Sequence, residues 1–163
     1  TRGRIADIVA HDEQRDLALL KLRDTERGVA RIAHMLPEEE SPKLGQTVWA
    51  VGAGLGYPPS MTSGEMAFAE QVINGYRYQL ATAPIIFGNS GGALFAYSDI
   101  RKKYEMIGVP SRVSAAGFQA VTHMGWSIPT ETVHTFLRDN FHGFIVGDKY
   151  LKPENRKPKP EKK

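Results

Sequence analysis

Short apolar runs, separated by glycine, proline and charged residues, recur along most of this chain. The runs at 4–10 and 17–22 flank a charged turn at 11–15, a pattern typical of a β-hairpin. A third run at 47–52 is rich in β-forming residues and stops at a glycine. This rhythm predicts antiparallel strands joined by turns.

Two further hairpins follow from the same pattern. The segment 62–73 alternates apolar and polar residues and contains Gly64, which predicts a bent or bulged strand with its partner near 78–82. Residues 93–95 and 106–109 are apolar and flank a polar turn at 98–103.

One segment, 130–140, has a convincing helical pattern. Val133, Phe136 and Leu137 share one face, while Glu131 in the first turn and Arg138 in the last suit the helix dipole. Many short strands before one late helix indicate an all-β barrel or sandwich. We expect one domain over residues 1–147.

Composition narrows the function classes. The chain has 163 residues, of which 41% are hydrophobic and 24% charged, as in globular domains. Its apolar runs are shorter than the roughly 18 residues of a spanning helix. The absence of cysteine excludes disulfides, thiolate zinc sites and a cysteine nucleophile. No metal or cofactor is predicted.

The net charge of +3 originates in the last segment. Residues 148–163 hold seven Lys/Arg against three Asp/Glu, which leaves the body near −1. This Pro-rich stretch is predicted to be a disordered, solvated tail. The alternative is an electrostatic tether to nucleic acid, anionic lipid or an assembly partner, although no specific nucleic-acid or membrane partner is predicted.

The sequence Gly88-Asn89-Ser90-Gly91-Gly92 carries the candidate chemistry. A serine becomes a nucleophile when a base removes its proton and fixed donors meet the oxyanion. The glycines permit a tight turn in which the N–H groups of Gly88 and Ser90 form an oxyanion hole. A plain glycine-rich β-turn is the alternative.

The surroundings of Ser90 decide between these interpretations. Four landmarks occur in order along the chain: the segment 16–22 after 8–12, the stretch 44–52, the Ser90 motif with residues 93–95 and 106–109, and the stretch 125–129. Together they resemble trypsin-like serine proteases of the HtrA (Deg) group.

The resemblance implies a trypsin-like double β-barrel with a C-terminal helix, whose first barrel is incomplete in this chain. It implies a serine endopeptidase that hydrolyses polypeptides through an acyl-enzyme. Ser90 is then the nucleophile, and Asp16 orients and stabilises the imidazole. A homo-oligomer and a periplasmic or other extracytoplasmic location fit typical members; a virion or the cytoplasm stays open.

Five residues are candidates for substrate binding. Val109, Pro110 and Ser111 match the strand that pairs with a bound peptide in the family, although Pro110 lacks one backbone donor. Pro84 and Ile85 precede the motif at the presumed specificity pocket. Because no acidic residue lies there, small or medium apolar side chains are expected rather than Lys or Arg.

No histidine of this chain lies where trypsin-like enzymes place their catalytic base. Trypsin-like enzymes place it before the aspartate, separated by roughly thirty residues or more, but only fifteen residues precede Asp16. His11 is interpreted as a solvated turn residue, and His34, His123, His134 and His142 as structural or surface residues. We therefore expect a C-terminal fragment whose base comes from a companion N-terminal segment. The alternative is a catalytically inactive, protease-like scaffold or assembly component.

Two other motifs suggest different classes of enzyme. The Ser90 motif formally fits an α/β-hydrolase elbow with Asp99 or Asp139, but the residues after it favour a strand rather than a helix. Residues 52–56 suggest a dinucleotide loop, but Tyr57-Pro58-Pro59 cannot open the required helix. A wall beside the cleft is the better interpretation of that loop.

Overall fold

The computed structural model describes residues 4–23 and 32–147. The predicted tail at 148–163 lies outside the described residues. The elements are β1 (Ala6–Asp12), β2 (Leu17–Leu22), β3 (His34–Met35), β4 (Thr47–Gly52), β5 (Ser60–Ile73), β6 (Tyr76–Ala81), β7 (Ala93–Ser98), β8 (Lys103–Ala116), β9 (Gln119–Pro129) and helix α1 (Thr130–Asp139), with short 3₁₀ turns at Gly54–Gly56 and Gly143–Val146.

The strands form two sheets. β1 and β2 make an antiparallel hairpin, and the others follow the order β3-β8-β7-β4-β5-β6-β9. An additional pairing between β8 and β9 closes six of these strands into a ring. The prediction of an all-β barrel with a C-terminal helix is confirmed, and the β1–β2 hairpin is a separate two-stranded sheet.

Strand β8 changes partners at the point where the ring closes. It pairs with β7 from Lys103 to Gly108 and with β9 from Gly108 onward. A Cβ on Gly108 would lie 2.2 Å from the Gln79 amide nitrogen and 2.9 Å from the Ile128 carbonyl. A side chain at residue 108 would therefore obstruct closure of the barrel.

Two apolar clusters lie on opposite sides of the barrel wall. The first fills the ring and contains Leu36, Val48, Ala50, Met66, Ala81, Ala83, Ile85, Leu94, Ala96 and Ile107. The second packs α1 and the β1–β2 hairpin against the barrel and contains Ala10, Leu17, Tyr78, Ile128, Val133, Phe136 and Leu137. The hairpin therefore has a defined position relative to the barrel, because its apolar side is shared with α1.

The second cluster is reinforced by an ion pair. Arg15 in the β1–β2 turn donates to the Asp139 carboxylate at the end of α1, with an N–O distance of 2.7 Å. The other side of the hairpin stays open, since Ile8 is 67% exposed and Leu20 is 57% exposed.

Three details differ from the sequence-based expectation. β8 and β9 are much longer than the apolar run at 106–109 indicated, because small and polar residues around their tip pair through their backbones. His11 lies on β1 opposite Ala18 rather than in the turn. β3 is a two-residue strand parallel to β8, too short to leave a periodic pattern.

Neither α1 nor the two 3₁₀ turns is long and apolar enough to cross a membrane.

Arginine–glutamate pairs anchor the segment between the hairpin and the barrel. Arg101 donates to Glu40 at 2.7 and 2.8 Å and to the buried Glu105 at 2.7 and 2.8 Å. Arg138 on α1 binds Glu38. These hydrogen bonds lower the pKa of Glu38 and of Glu40 below the ordinary value and raise the pKa of Arg101.

The lowered pKa values predict acid sensitivity. Because Glu38 and Glu40 ionise more readily in the folded chain, their stabilisation is complete above the ordinary pKa of 4.5. It is lost as the pH falls through their lowered values. Urea unfolding between about pH 6 and pH 3 should show this loss, and E40Q should lose less stability across the same interval.

Glu13 provides the matched control, since it is exposed and forms no ion pair with the described residues. E13Q should leave the pH dependence unchanged. Equal pH dependence of the parent and E40Q would contradict the assignment.

Candidate active site

Ser90 lies in a turn organised by its neighbour Asn89. The Asn89 Oδ1 accepts from the Ile86 amide at 3.1 Å, and the Asn89 amide donates to the Ile86 carbonyl, also at 3.1 Å. The Asn89 carbonyl accepts from the Gly92 amide at 2.9 Å. Asn89 is only 6% exposed, so a buried side chain fixes the turn while Ser90 remains exposed.

Gly88 is required on two grounds. Its φ of 95° favours glycine, and a Cβ there would lie 2.7 Å from the Leu55 amide and 2.8 Å from the Ala53 carbonyl. Within the described part of the chain, the amides of Gly88 and Ser90 donate to no protein acceptor. Two backbone donors are therefore free beside the candidate nucleophile, as an oxyanion hole requires.

The loop after β4 packs against the Ser90 turn. The Leu55 amide donates to the Phe87 carbonyl at 2.7 Å. A Cβ on Gly52 would lie 2.7 Å from the Asn89 side chain, and one on Gly54 would lie 2.8 Å from Ile86. The expected wall beside the cleft is thus a closely packed support for the Ser90 turn.

Asp16 occupies the last position of the β1–β2 turn. The Asp12 carboxylate accepts from the amides of Gln14 and Arg15, both at 3.0 Å, and so holds the turn. Asp16 has a φ of 55°, a left-handed conformation that Asp adopts more readily than most residues. Its side chain is thereby positioned by the turn.

Ser111 on β8 connects Asp16 with Ser90. The Ser111 hydroxyl donates to Asp16 Oδ2 at 2.6 Å. The Ser90 hydroxyl donates to the Ser111 carbonyl at 3.2 Å. The two residues that the sequence predicts to be catalytic therefore share a partner, although they are 74 positions apart.

The other predicted substrate-binding residues occupy different surroundings. Ile85 is 2% exposed within the barrel core, and its amide donates to Thr122. Val109 packs against the cluster beneath α1. Pro110 is fully buried, and its carbonyl accepts from the Gly91 amide at 2.9 Å. Pro84 is exposed next to the Ser90 turn.

None of the five histidines, all of which are described, makes a hydrogen bond or ion pair with Ser90 or Asp16. His134 is buried and its Nε2 lies 3.0 Å from the Leu36 carbonyl, while His142 Nδ1 lies 2.6 Å from the Asn140 carbonyl. His123 contacts its neighbour Thr122. His11 and His34 are exposed. The site brings together a serine, an aspartate and two free backbone amides, with no histidine in its hydrogen-bond network.

Sequence reasoning missed the positioning roles of Asn89 and Ser111. The role of Asn89 has a recognisable signal, because Asn often bonds to nearby backbone in turns. The contact of the Ser111 hydroxyl with Asp16 has no local signal, since it joins the turn of one sheet to a strand of the other.

A family model described as trypsin-like peptidase domain matches residues 1–102, which include Asp16, Gly88 and Ser90. The chain belongs to the trypsin-like peptidase family. No curated protein matches this sequence.

Solved structures support the same assignment. The HtrA-type protease AlgW with decapeptide is 26% identical, with a TM-score of 0.69 over 87% of this chain and 42% of that chain. AlgW with tripeptide is 25% identical, with a TM-score of 0.66 over 82% of this chain and 42% of that chain. A serine endoprotease from Yersinia pestis shares the fold. It is 22% identical, with a TM-score of 0.62 over 88% of this chain and 44% of that chain. This trypsin-like peptidase chain spans less than half the length of these structures.

The geometry of the Ser90 turn predicts different costs for two glycine substitutions. Gly91 has a φ of 77°, but a Cβ added there would meet no atom within 4 Å, so G91A should lower the free energy of unfolding by about 1–2 kcal/mol. G88A adds close contacts with backbone atoms and should cost about 1–3 kcal/mol more. Urea denaturation measures both, and equal losses would contradict the tight support of Gly88.

Proposed function

We propose that this chain is the C-terminal catalytic portion of a serine endopeptidase. The observation that carries the proposal is the link through Ser111, which donates to Asp16 and accepts from Ser90. A structural turn requires neither this convergence nor two free amides beside the serine. Family membership supports the same class of reaction.

In the proposed reaction, Ser90 Oγ attacks the scissile carbonyl while a histidine base removes its proton. The amides of Gly88 and Ser90 hold the oxyanion. The C–N bond then breaks, the histidine returns the proton to the leaving amine, and an acyl-enzyme remains. Water attacks this ester while the histidine removes its proton; the histidine then gives the proton to Ser90 Oγ as the ester bond breaks and the second product leaves.

The base is proposed to come from a companion N-terminal segment. The hairpin that positions Asp16 has only two strands, and isolated hairpins are marginally stable. Its open side carries Ile8 and Leu20, both more than half exposed. Strands added to this hairpin would cover these side chains and could bring a histidine between Asp16 and Ser90.

The substrate is proposed to be a polypeptide bound at the edge of β8. This edge is available from Ser111 onward, because β7 pairs with β8 only as far as Gly108. No acidic residue lies at 84–87, the stretch that precedes the Ser90 turn, so the adjoining pocket should prefer small or medium apolar side chains.

A catalytically inactive scaffold is the second candidate. It is favoured by the Ser90 hydroxyl, which donates to a carbonyl rather than to a base. Such an arrangement gives the hydroxyl no increase in nucleophilicity.

Rescue by free imidazole distinguishes the two candidates in this chain itself. If Asp16 and Ser90 flank a site for a histidine ring, added imidazole should accelerate the labelling of Ser90 by a fluorophosphonate. D16N should reduce this acceleration, because the carboxylate no longer stabilises the imidazolium. Intact-protein mass spectrometry follows the labelling rate.

S90A should not be labelled under any condition. In the protein isolated with its companion segment, D16N should lower kcat on the order of 10⁴-fold. A chain that is neither labelled with imidazole nor labelled together with the companion segment would support the scaffold and contradict the peptidase.

A further inference from the structure

One arginine at the edge of β8 has no carboxylate partner among the described residues. Arg112 is exposed and directly follows Ser111. It forms no ion pair and donates no side-chain hydrogen bond within the described part of the chain. Other described arginines do bind carboxylates, namely Arg15, Arg23, Arg77, Arg101 and Arg138.

A β-bulge determines which way Arg112 faces. Pro110 lies opposite Ser127, and Arg112 lies opposite Trp126. Ser111 stands between these pairs without a partner on β9, so it is the extra residue of the bulge. Bulges occur beside active sites, where they redirect side chains. Because opposite residues of an antiparallel pair share a face, the Arg112 and Trp126 side chains lie on the same side of the β8–β9 ribbon.

Aromatic rings hold the Arg112 side chain in place. Its guanidinium carbon lies 4.9 Å from the centre of the Tyr78 ring. Trp126 Nε1 donates to Ser114 Oγ at 2.9 Å, which fixes the indole on the same face. A cation–π contact restricts a guanidinium but supplies no acceptor in line with its N–H donors. Arg112 therefore presents a positioned positive charge whose donors are available.

The face that carries Arg112 is turned toward the β1–β2 hairpin. Tyr78 belongs to the apolar cluster that also contains Ala10 and Leu17 of that hairpin, and Trp126 packs against the same cluster. The Asp16 carboxylate of the hairpin accepts from the Ser111 hydroxyl and does not pair with Arg112. Arg112 is thus next in sequence to the residue that links Asp16 with Ser90.

Pairing along β8 indicates which substrate side chain would meet Arg112. The Ser90 hydroxyl donates to the Ser111 carbonyl, so the residue whose carbonyl Ser90 attacks is expected opposite Ser111. In an antiparallel pair, the substrate residue before it then lies opposite Arg112 and directs its side chain to the same face.

We propose that Arg112 binds a carboxylate side chain of the polypeptide, so that Asp or Glu is preferred immediately before the residue that supplies the scissile carbonyl. This specificity rests on the proposed function. Guanidinium and carboxylate groups match each other in bidentate hydrogen bonds. The preference is additional to the small or medium apolar side chain expected in the pocket that adjoins the Ser90 turn.

Peptide binding without hydrolysis tests this preference. S90A prevents turnover, and W49F leaves Trp126 as the only tryptophan, so its emission reports on the face beside Arg112. The probes are acetyl-Ala-Ala-Glu-Val-Ala-Ala-amide and the same peptide with Gln in place of Glu. The Glu peptide should bind about three- to tenfold more tightly at low ionic strength, and this ratio should fall toward one at about 0.5 M salt.

Variants at residue 112, made in the same background, identify the group responsible. R112M keeps an alkyl chain over Tyr78 but removes the charge, so it should bind both peptides equally. R112K restores the charge without the bidentate geometry and should recover part of the ratio. R112E should bind a Lys peptide more tightly than the Gln peptide. Circular dichroism checks that each variant is folded.

Arg4 provides the matched control. It is exposed, forms no ion pair with the described residues and precedes β1, at the end of the hairpin opposite the Asp16 turn. R4M removes the same charge and should leave the ratio of the two affinities unchanged.

Equal binding of the Glu and Gln peptides by the chain with Arg112 would overturn the proposal, as would an unchanged ratio in R112M or no saturable binding of the Glu peptide. Failure of the peptidase chemistry gives a different result. Ser90 would then resist the fluorophosphonate under every condition, while the Glu preference and its loss in R112M would persist. In that case Arg112 binds the acidic side chain of a ligand rather than of a substrate.

Discussion

The exchange of partners along β8 is the constraint on which the rest of the structure depends. This strand pairs with β7 up to Gly108 and with β9 from Gly108 onward. β8 therefore closes the barrel and then separates from β7. The release exposes a backbone edge beside the Ser90 turn, and Ser111 lies at the start of that edge. Barrel closure at this point requires a glycine at residue 108, because a Cβ there would lie 2.2 Å from the Gln79 amide nitrogen.

Much of the site's chain geometry could be predicted from local sequence. The glycines that flank Ser90 and the charged residues before Asp16 each specify a turn within a few residues. Turns of this kind can be predicted because they depend on local sequence rather than on tertiary contacts. The burial of Ile85 could not be predicted this way, because its surroundings include Gly125, where a Cβ would lie 2.5 Å from Ile85. The same limit applies to β8 and β9, whose outer halves owe their strand structure to each other rather than to apolar alternation.

The two halves of the candidate site are held by different kinds of interaction. The Ser90 turn is supported by close packing, with Asn89 buried and Gly88 pressed against the loop after β4. Asp16 is held by a capped turn on a hairpin with one open side. Ser90 therefore belongs to the barrel, whereas Asp16 belongs to a hairpin with one exposed apolar side. Under the proposed function, a companion segment that covers this exposed side would complete the site.

Helix α1 does more than close the chain. It packs beneath the hairpin and binds Arg15 through Asp139, so its position influences the separation of Asp16 from Ser90. Small shifts of this helix would change the reach between the two groups without disturbing either turn. Under the proposed function, substitutions on the face of α1 that contacts the hairpin would change turnover while the barrel stays unchanged.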